Sequence, residues 1–522
     1  MDPRSEPRLE ADDIQGNILP GFRRQQQLFV AYSATDGDRL AQALGVLQPR
    51  VTRVAATLAH RATRKRALIA KQAPAARSDL WLALALGARA VTALGAAEVA
   101  GLDEAFPVGQ IPGRMGDPSQ QTLPDGTANP GNRSNWVVGS PARPVDLLLI
   151  FAHDHDVQGA AAPLLDEVSA LLGARPVYCE LGELLPGDIE HFGFRDGVSQ
   201  PGVRGHVVVG GAAVLVTTRY GVPARDGVEY GKPGQPLQWP GQFLIGQPAF
   251  SGDAPSVAAE LRNGSFMVFR RLTQDVKAFY EDSDAMAAAL SARIGRPLSG
   301  ADLRAKMVGR FPSGAALMRH DAEPATAEAQ IALNHFEFAR PLDAIQLTDA
   351  ERTKVAASFA DPDPLFGLRC PAWSHIRKVN PRDLPTDKGD PGRTRDFQML
   401  RRGIPFGRAY NHDNPSVPDN GTERGLLFVS YQRSIADQFE LLNRDWMNHF
   451  KGPHSGGFDL LVGQNASSGY HATKAADFHS PGSNGMPIAF EATRQWVVPT
   501  GGAYLFAPSL SFIAKYGKPA VA

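Results

Sequence analysis

Residues Val145–Ala152 read VDLLLIFA, an apolar run of strand length, and a pattern with helical spacing follows it at 158–173. Two similar apolar runs come earlier in the chain, QLFVAY at Gln27–Tyr32 and LWLALAL at Leu80–Leu86. Apolar residues at helical spacing lie between these runs, at 38–58 and 88–105. Strands that alternate with helices in this way predict an α+β fold.

The rest of the chain predicts the domain organisation. The 52 glycines and 41 prolines among 522 residues indicate long ordered loops, such as the one expected at 106–140. A later apolar run, Gly425–Tyr431, predicts a strand, and the amphipathic segment Ser434–Phe450 predicts a helix. We predict a loose N-terminus at 1–13, a first domain at 14–190 and a second at 191–522 with an insertion around 205–345.

Charge and cysteine content exclude several classes of protein. The 54 Lys and Arg residues balance 54 Asp and Glu residues, whereas nucleic-acid and anionic-membrane binders favour a basic excess. Two cysteines, Cys179 and Cys370, cannot build a disulfide scaffold, a cysteine-rich zinc site or an iron–sulfur cluster. The N-terminus lacks the apolar core of a signal peptide, and no stretch approaches the ~18 apolar residues of a membrane span. We therefore expect a cytoplasmic protein without nucleic-acid or membrane partners.

Three segments carry residues suited to redox chemistry: GFRDG at 193–197, CPAWSHIRKVNPR at 370–382 and LRRGIPFG at 400–407. Taken alone, the first favours an ordinary Asp-Gly turn. Together they supply a histidine that can bind iron, an aspartate that can transfer a proton and an arginine that can stabilise negative charge. A rival metal site, HDHD at 153–156, offers only two imidazoles and a carboxylate on one side of a strand end.

With DIQGNIL at 13–19, GLLFVSYQ at 425–432 and GFDLLVGQ at 457–464, these segments resemble, in this order, the dye-decolorizing peroxidases. The length of the chain and the residues of its GIPFG and CPAWSHIRKVNPR segments resemble the longer classes of that family, C and D. The resemblance implies two ferredoxin-like halves, each an antiparallel sheet with peripheral helices. It also implies one haem b per chain, bound noncovalently between the halves.

The resemblance further implies roles for individual residues. His375 corresponds to the proximal iron ligand, Asp196 to the distal acid–base residue and Arg401 to the distal arginine, which Arg402 would replace only if the register were shifted by one. Leu426 and Phe428 correspond to the lining of the distal pocket, and Asp459 to the hydrogen-bond acceptor for His375 Nδ1–H. Arg377 and Gln464 correspond to partners for the haem propionates.

The implied activity is a haem peroxidase that uses hydrogen peroxide to oxidise dyes, phenolics and similar aromatic donors through a high-valent oxo-iron intermediate. An aspartate base, whose ordinary pKa is about 4, predicts an acidic optimum. Bulky donors would need an aromatic electron relay, for which the candidates are Trp373, Tyr410, Tyr431 and Trp446. The alternative is that these four side chains are simply aromatic residues of the core. The alternatives are a haem-binding or iron-handling protein of the same fold with little peroxidase activity, and a haem-free interaction module. The sequence leaves open whether the chain forms a homo-oligomer.

Overall fold

The structure is a computed structural model that describes residues 3–72, 78–219, 228–232, 234–249, 254–324, 333–339, 367–410, 422–464, 473–480 and 486–519. Its strands are, in chain order, β1 (Gln26–Tyr32), β2 (Trp81–Leu86), β3 (Leu147–His153), β4 (Tyr178–Glu183), β5 (Gly202–Val203), β6 (His206–Val209), β7 (Ala212–Leu215), β8 (Tyr230–Lys232), β9 (Gln235–Gln238), β10 (Ser265–Gln274), β11 (Leu400–Arg401), β12 (Ile404–Phe406), β13 (Gly425–Gln432), β14 (Lys474–Phe478), β15 (Ile488–Ala492) and β16 (Val497–Ala507).

The α-helices span Gly37–Leu47, Val54–Ile69, Ala88–Ala93, Ala105–Val108, Pro112–Met115, Val157–Leu172, Val276–Ile294, Gly300–Val308, His375–Val379, Pro391–Arg395 and Leu510–Tyr516. Two π-helical segments follow β13, at Ile435–Glu440 and Leu442–Met447. Within the described part of the chain, none of the helices is long and apolar enough to span a membrane.

Eight strands close into one antiparallel barrel, in the order β2-β3-β1-β4-β12-β13-β10-β16, because β10 pairs with both β13 and β16. Numbered within each half of the chain, both halves follow the order second, third, first, fourth, which confirms the two predicted ferredoxin-like halves. The halves meet at two narrow seams, each a single residue pair: Leu86 with Phe506, and Gly182 with Phe406.

The barrel has an apolar interior and an apolar outer face covered by helices. Inside, Phe29 of β1 stacks on Phe269 of β10 with ring centroids 5.6 Å apart, and both side chains are fully buried. Outside, Val30 and Val268 belong to the core that packs against the helices. Because side chains fill the interior of a barrel of this size, a large planar ligand has room only outside it.

The chain before β1 fastens one seam. Gln15 is buried, and its Nε2 donates to Leu84 O of β2 at 2.9 Å and to Pro508 O, just after β16, at 2.8 Å. Its Oε1 accepts from Leu84 N at 2.9 Å. Farther upstream, Leu9 is buried and its N–H donates to His206 O at 2.8 Å. The N-terminus predicted to be loose is therefore anchored at Leu9, whereas Arg4, Ser5, Arg8, Glu10 and Asp12 are exposed.

The insertion predicted around 205–345 includes a principal strand of the barrel. Most residues of β10 are buried on both faces, so no alternation of apolar and polar residues marks it in the sequence. Small sheets made of β5 with β8 and β9, and of β6 with β7, do lie upstream of it. Residues 220–227, 233, 250–253, 325–332 and 340–345 lie outside the described residues, and the division at 190 stays a prediction.

Two predicted helices also differ in detail. The helix expected at 38–58 is interrupted after Leu47, because Pro49 cannot donate a helical hydrogen bond and Thr52 N–H donates to Leu82 O of β2 instead. The helix expected at Ser434–Phe450 is π-helical rather than α-helical, and Asn448 N–H donates to Asn443 O, five residues back.

Candidate active site

The outer face of the C-terminal sheet presents one side of the candidate site. Along β13, Leu427 and Val429 are buried in the barrel interior, whereas Leu426 and Phe428 point to the other face and are only partly buried. Arg401 of β11 pairs directly with Ser430, so its side chain lies on the same face as Leu426 and Phe428. The structure therefore brings together three of the predicted residues.

Asp196 sits at the end of a loop that is fixed by a partly buried carboxylate. Glu190 accepts hydrogen bonds from Phe192 N at 2.9 Å, Phe194 N at 3.0 Å and Gln274 Nε2 at 2.7 Å. Burial raises the pKa of Glu190 to about 7, although these three donors act to lower it. Downstream of this rigid turn, the exposed Asp196 accepts a bond from Gly197 N at 2.6 Å.

A glycine is needed within that loop. Gly193 has a φ of +87°, a left-handed conformation that side chains rarely adopt. A Cβ at this position would also lie 3.1 Å from the Tyr280 hydroxyl, which donates to Phe192 O at 2.9 Å. The first glycine of the GxxDG segment therefore serves the backbone that carries Asp196.

Arg401 and Asp196 lie within electrostatic reach of each other. Burial lowers the pKa of Arg401, and the negative charge of Asp196 opposes that shift. Gln200 fixes the arginine backbone on both sides, since its Oε1 accepts from Arg401 N at 3.1 Å and its Nε2 donates to Arg401 O at 3.2 Å. The guanidinium donates to Ser199 O. Arg401 is thus fixed beside the apolar wall and close enough to Asp196 to feel its charge.

Arg402 points elsewhere. Its Nε donates to Asn17 O at 3.1 Å and its Nη2 to Ile18 O at 2.9 Å, so it ties β11 to the N-terminal segment. Burial lowers its pKa to about 10. Successive residues on a strand face opposite sides, and only the register with Arg401 toward Asp196 fits this arrangement.

The second part of the site is a histidine–carboxylate pair. His375 begins a helix of five residues, and its Nδ1 lies 2.7 Å from Asp459 Oδ2, the partner predicted from the sequence. Asp459 is fully buried, and its Oδ1 accepts from Leu461 N at 3.0 Å and Val462 N at 3.1 Å. Burial acts to raise the pKa of Asp459, but His375, followed by Val462 N–H and Lys474, holds it below its ordinary value.

This pair fixes which histidine nitrogen is available. An ionised carboxylate accepts the proton on Nδ1, which leaves the lone pair of Nε2 for a metal. The His375 side chain is 32% exposed, whereas Asp459 is inaccessible. A neutral imidazole, oriented by an anion and open on its other nitrogen, is the donor that haem iron takes from protein.

Arg377 and Gln464 are already engaged with protein groups. Arg377 is buried, donates to Cys370 O at 2.8 Å and lies with its guanidinium carbon 5.1 Å from the centroid of the Phe338 ring. Gln464 Nε2 donates to Val462 O and Val497 O, both at 2.9 Å. The structure therefore places both in packing roles, and their contacts with propionates stay predictions.

Two other arginines contribute positive charge that the sequence did not single out. Burial, followed by repulsion from Arg382, lowers the pKa of Arg310 to about 9, and Arg401 adds to the effect. Arg310 Nη1 donates to Gly314 O at 2.8 Å. A buried cluster of guanidinium groups beside Arg401 suits a ligand that carries carboxylates. Arg310, Arg382 and Arg401 are spread over about 90 positions, so no local sequence pattern predicts that they lie together.

The HDHD segment has a structural role. Asp154 pairs with Arg24 at 3.0 Å, and His153 Nε2 bonds with Ser78 O at 3.0 Å. Across the described residues, no group of three or more His, Cys, Asp or Glu side chains forms a metal site.

Two family models match the chain. Residues 13–156 match the DyP dimeric alpha+beta barrel domain, and residues 252–473 match the C-terminal domain of Dyp-type peroxidases. The chain belongs to the dye-decolorizing peroxidase family. The first match holds β1 to β3 and the second holds β10 to β13 with His375 and Arg401, so strands of both halves of the barrel are matched, whereas Asp196 lies between the two matches.

Relatives support this assignment along the whole chain. A dye-decolorizing peroxidase of Mycetinis scorodonius, msp1, is 29% identical over 521 residues, which cover 97% of this chain and 87% of the relative. The multifunctional dye peroxidase DyP2 of an Amycolatopsis species is 32% identical over 336 residues, covering 62% of this chain and 60% of that one. The structure of an ancestral D-type dye-decolorizing peroxidase superimposes with a TM-score of 0.71 at 26% identity, covering 98% of this chain and 100% of that one.

Membership in this family identifies the chain as an enzyme, a haem-dependent peroxidase that acts on dyes. The residues present fit such a cofactor. His375 offers a metal-binding nitrogen, Leu426 and Phe428 leave a partly exposed apolar surface, and the arginine cluster offers charge for carboxylates. This dye-decolorizing peroxidase thus contains both parts of the site described above, the apolar face with Arg401 and the histidine–carboxylate pair.

Proposed function

We propose that the chain binds one haem b noncovalently, with His375 Nε2 on the iron, and uses hydrogen peroxide to oxidise dyes, phenolics and similar aromatic donors. When bound, the haem supplies the redox chemistry by which peroxide is reduced and the donors are oxidised. The observation that supports the proposal is that Arg401, on the same face of the sheet as Leu426 and Phe428, lies within electrostatic reach of Asp196. A protein that only held or transported haem would need neither residue.

Each residue has a defined task in this proposal. The Asp196 carboxylate takes a proton from hydrogen peroxide and returns it to the departing oxygen, which leaves as water. The Arg401 guanidinium, which donates to Ser199 O, stabilises the negative charge that develops as the O–O bond breaks. Asp459 holds the proton on His375 Nδ1, and Leu426 and Phe428 limit access of larger molecules to the distal side.

Bulky donors therefore have to react away from this pocket. Among the relay candidates, Trp373, Tyr431 and Trp446 are fully buried, so none of them can touch a dye directly. Tyr410 is partly buried and stacks near Arg424, with the guanidinium carbon 5.4 Å from the ring centroid. Of the four, Tyr410 is the best placed to receive an electron from a bound donor.

The test compares two aspartates of one loop. Asp196→Asn removes the proton acceptor, whereas Asp188→Asn changes a side chain of the same loop that pairs with Arg23 at 3.8 Å. We expect Asp196→Asn to retain the Soret band of bound haem and to lose peroxide-dependent dye bleaching by about 10²–10⁴-fold. Asp188→Asn should keep nearly full activity.

Three outcomes separate the alternatives. Equal bleaching by Asp196→Asn and the unchanged enzyme would remove Asp196 from the mechanism. A Soret band without bleaching in the unchanged protein, at both acid and neutral pH, would indicate a haem-binding or iron-handling protein. Protein that binds no added haem would indicate an interaction module. A cytoplasmic location and a homo-oligomer stay predictions.

A further inference from the structure

A buried lysine supports the turn that contains Asp459. Lys474 of β14 is fully buried, and its ammonium group donates to Leu460 O and, at 3.2 Å, to Gly463 O. Both carbonyls belong to the turn that starts at Asp459. The nitrogen also lies 5.4 Å from the centroid of the Trp496 ring. Both acceptors are neutral carbonyls, so neither of them offsets the charge of the ammonium group.

That anion is Asp459. Burial lowers the pKa of Lys474 to about 7, and the charge of Asp459 opposes that shift. In the opposite direction, Lys474 helps to hold the pKa of Asp459 below its ordinary value. Lys378, on the helix of His375, is a second buried ammonium group that feels Asp459, and it donates to His449 O at 2.8 Å. The carboxylate beside His375 is therefore flanked by positive charge.

We propose that Lys474 is a positioning residue that weakens the pull of Asp459 on the Nδ1 proton of His375, and so limits the electron density that the imidazole gives to iron bound at Nε2. The inference rests on the proposed function, because it concerns the same iron ligand. A cation next to a carboxylate reduces the negative potential at the hydrogen-bonded proton, and low-dielectric surroundings strengthen this effect. An imidazole with less anionic character stabilises oxidised iron less.

The sign of the effect separates this role from a purely structural one. If Lys474 acts through charge, its removal strengthens the Asp459–His375 bond, and the reduction potential of bound haem becomes more negative. If Lys474 only clamps the turn, its removal loosens the carboxylate and weakens that bond. The potential would then become more positive. The two roles predict opposite shifts.

The test uses Lys474→Met, which keeps length but removes the charge, and Lys474→Gln, which keeps a donor for the carbonyls. We expect both variants to shift the haem reduction potential, measured by spectroelectrochemistry, to more negative values, and Lys474→Arg to leave it near the original. Lys306→Met is the matched control, since Lys306 also donates to two backbone carbonyls, those of Leu368 and Arg369. An unchanged or more positive potential in the Met and Gln variants overturns the proposal.

The haem-free protein gives an independent measurement. With ¹⁵N-labelled histidine, the Nδ1–H proton resonance of His375 should move downfield in Lys474→Met, because the hydrogen bond to Asp459 becomes stronger. An upfield shift or loss of that resonance refutes the proposal. This experiment needs no cofactor, so a failure of the protein to bind haem, which would overturn the proposed function, leaves it interpretable.

Discussion

Replacing Asp459 with Asn should change which nitrogen of His375 carries the proton. Asp459 Oδ1 accepts from Leu461 N and Val462 N, so an asparagine would keep its carbonyl oxygen there and turn its amide NH₂ toward His375. Nδ1 would then have to accept that hydrogen bond. A neutral imidazole that accepts at Nδ1 carries its proton on Nε2, where no lone pair remains for iron.

The magnitude follows from the bond that is lost. Hydrogen bonds to charged groups contribute about 1.5–3 kcal/mol. Loss of a residue that orients a metal ligand typically lowers metal affinity by about 10–100-fold, which corresponds to about 1.4–2.7 kcal/mol. The two free-energy estimates agree. The His375–Asp459 distance of 2.7 Å is that of a charge-assisted hydrogen bond, so we expect the bond to contribute within this range.

The assay is a titration of haem-free protein with haem, followed at the Soret band. Asp459→Asn should raise the dissociation constant by about 10–100-fold. Asp445→Asn is the control, because Asp445 pairs with Lys388 at 2.9 Å on a neighbouring segment and does not contact His375. An unchanged dissociation constant in Asp459→Asn would refute the tautomer argument. A large increase in the control would show that the assay reports general destabilisation.

Further variants test the remaining assignments. His375→Ala should abolish or strongly weaken haem retention, and an unchanged Soret band would exclude it as the ligand. Arg401→Leu should slow peroxide-dependent turnover by about 10²-fold or more with haem retained, whereas Arg402→Leu should mainly lower the melting temperature; the reverse pattern would place the register one residue away. Glu190 has a folded-state pKa of about 7 against about 4.3 in an unfolded chain, so its contribution to stability is complete below pH ~4.3 and is lost as pH rises through ~7. Glu190→Gln, which resembles the protonated form, should flatten this part of a plot of melting temperature against pH, and parallel curves would contradict the assignment.

Several features of the site could be predicted because they are local in the sequence. The resemblance selected Arg401 by its spacing before the glycine of GIPFG, and in the structure Arg401 lies on the face of Leu426 and Phe428, since alternation along a strand is fixed. His375 and Asp459 lie 84 positions apart, and only the resemblance linked them. The two ferredoxin-like halves followed from the resemblance as well.

Other features depend on tertiary packing. Glu190 fixes the Asp196 loop through backbone N–H groups and Gln274, which no local pattern marks. Arg377 appeared suitable for an anionic cofactor, but its position in a short helix turns it toward Phe338 and Cys370 O. The strand β10 is visible in the sequence as a short apolar run, but both of its faces are buried, so no alternation assigns it to the barrel rather than to an insertion.

The bond between Gln15 and Pro508 has a consequence for the order of folding. These residues are separated by 493 positions, almost the whole chain. During synthesis from the N-terminus, the Gln15 amide cannot find this acceptor until the last strand of the barrel has emerged. The first segment of the chain therefore completes its packing among the last. A ribosome-bound intermediate would keep that seam open, and closing such a distant contact is expected to be slow.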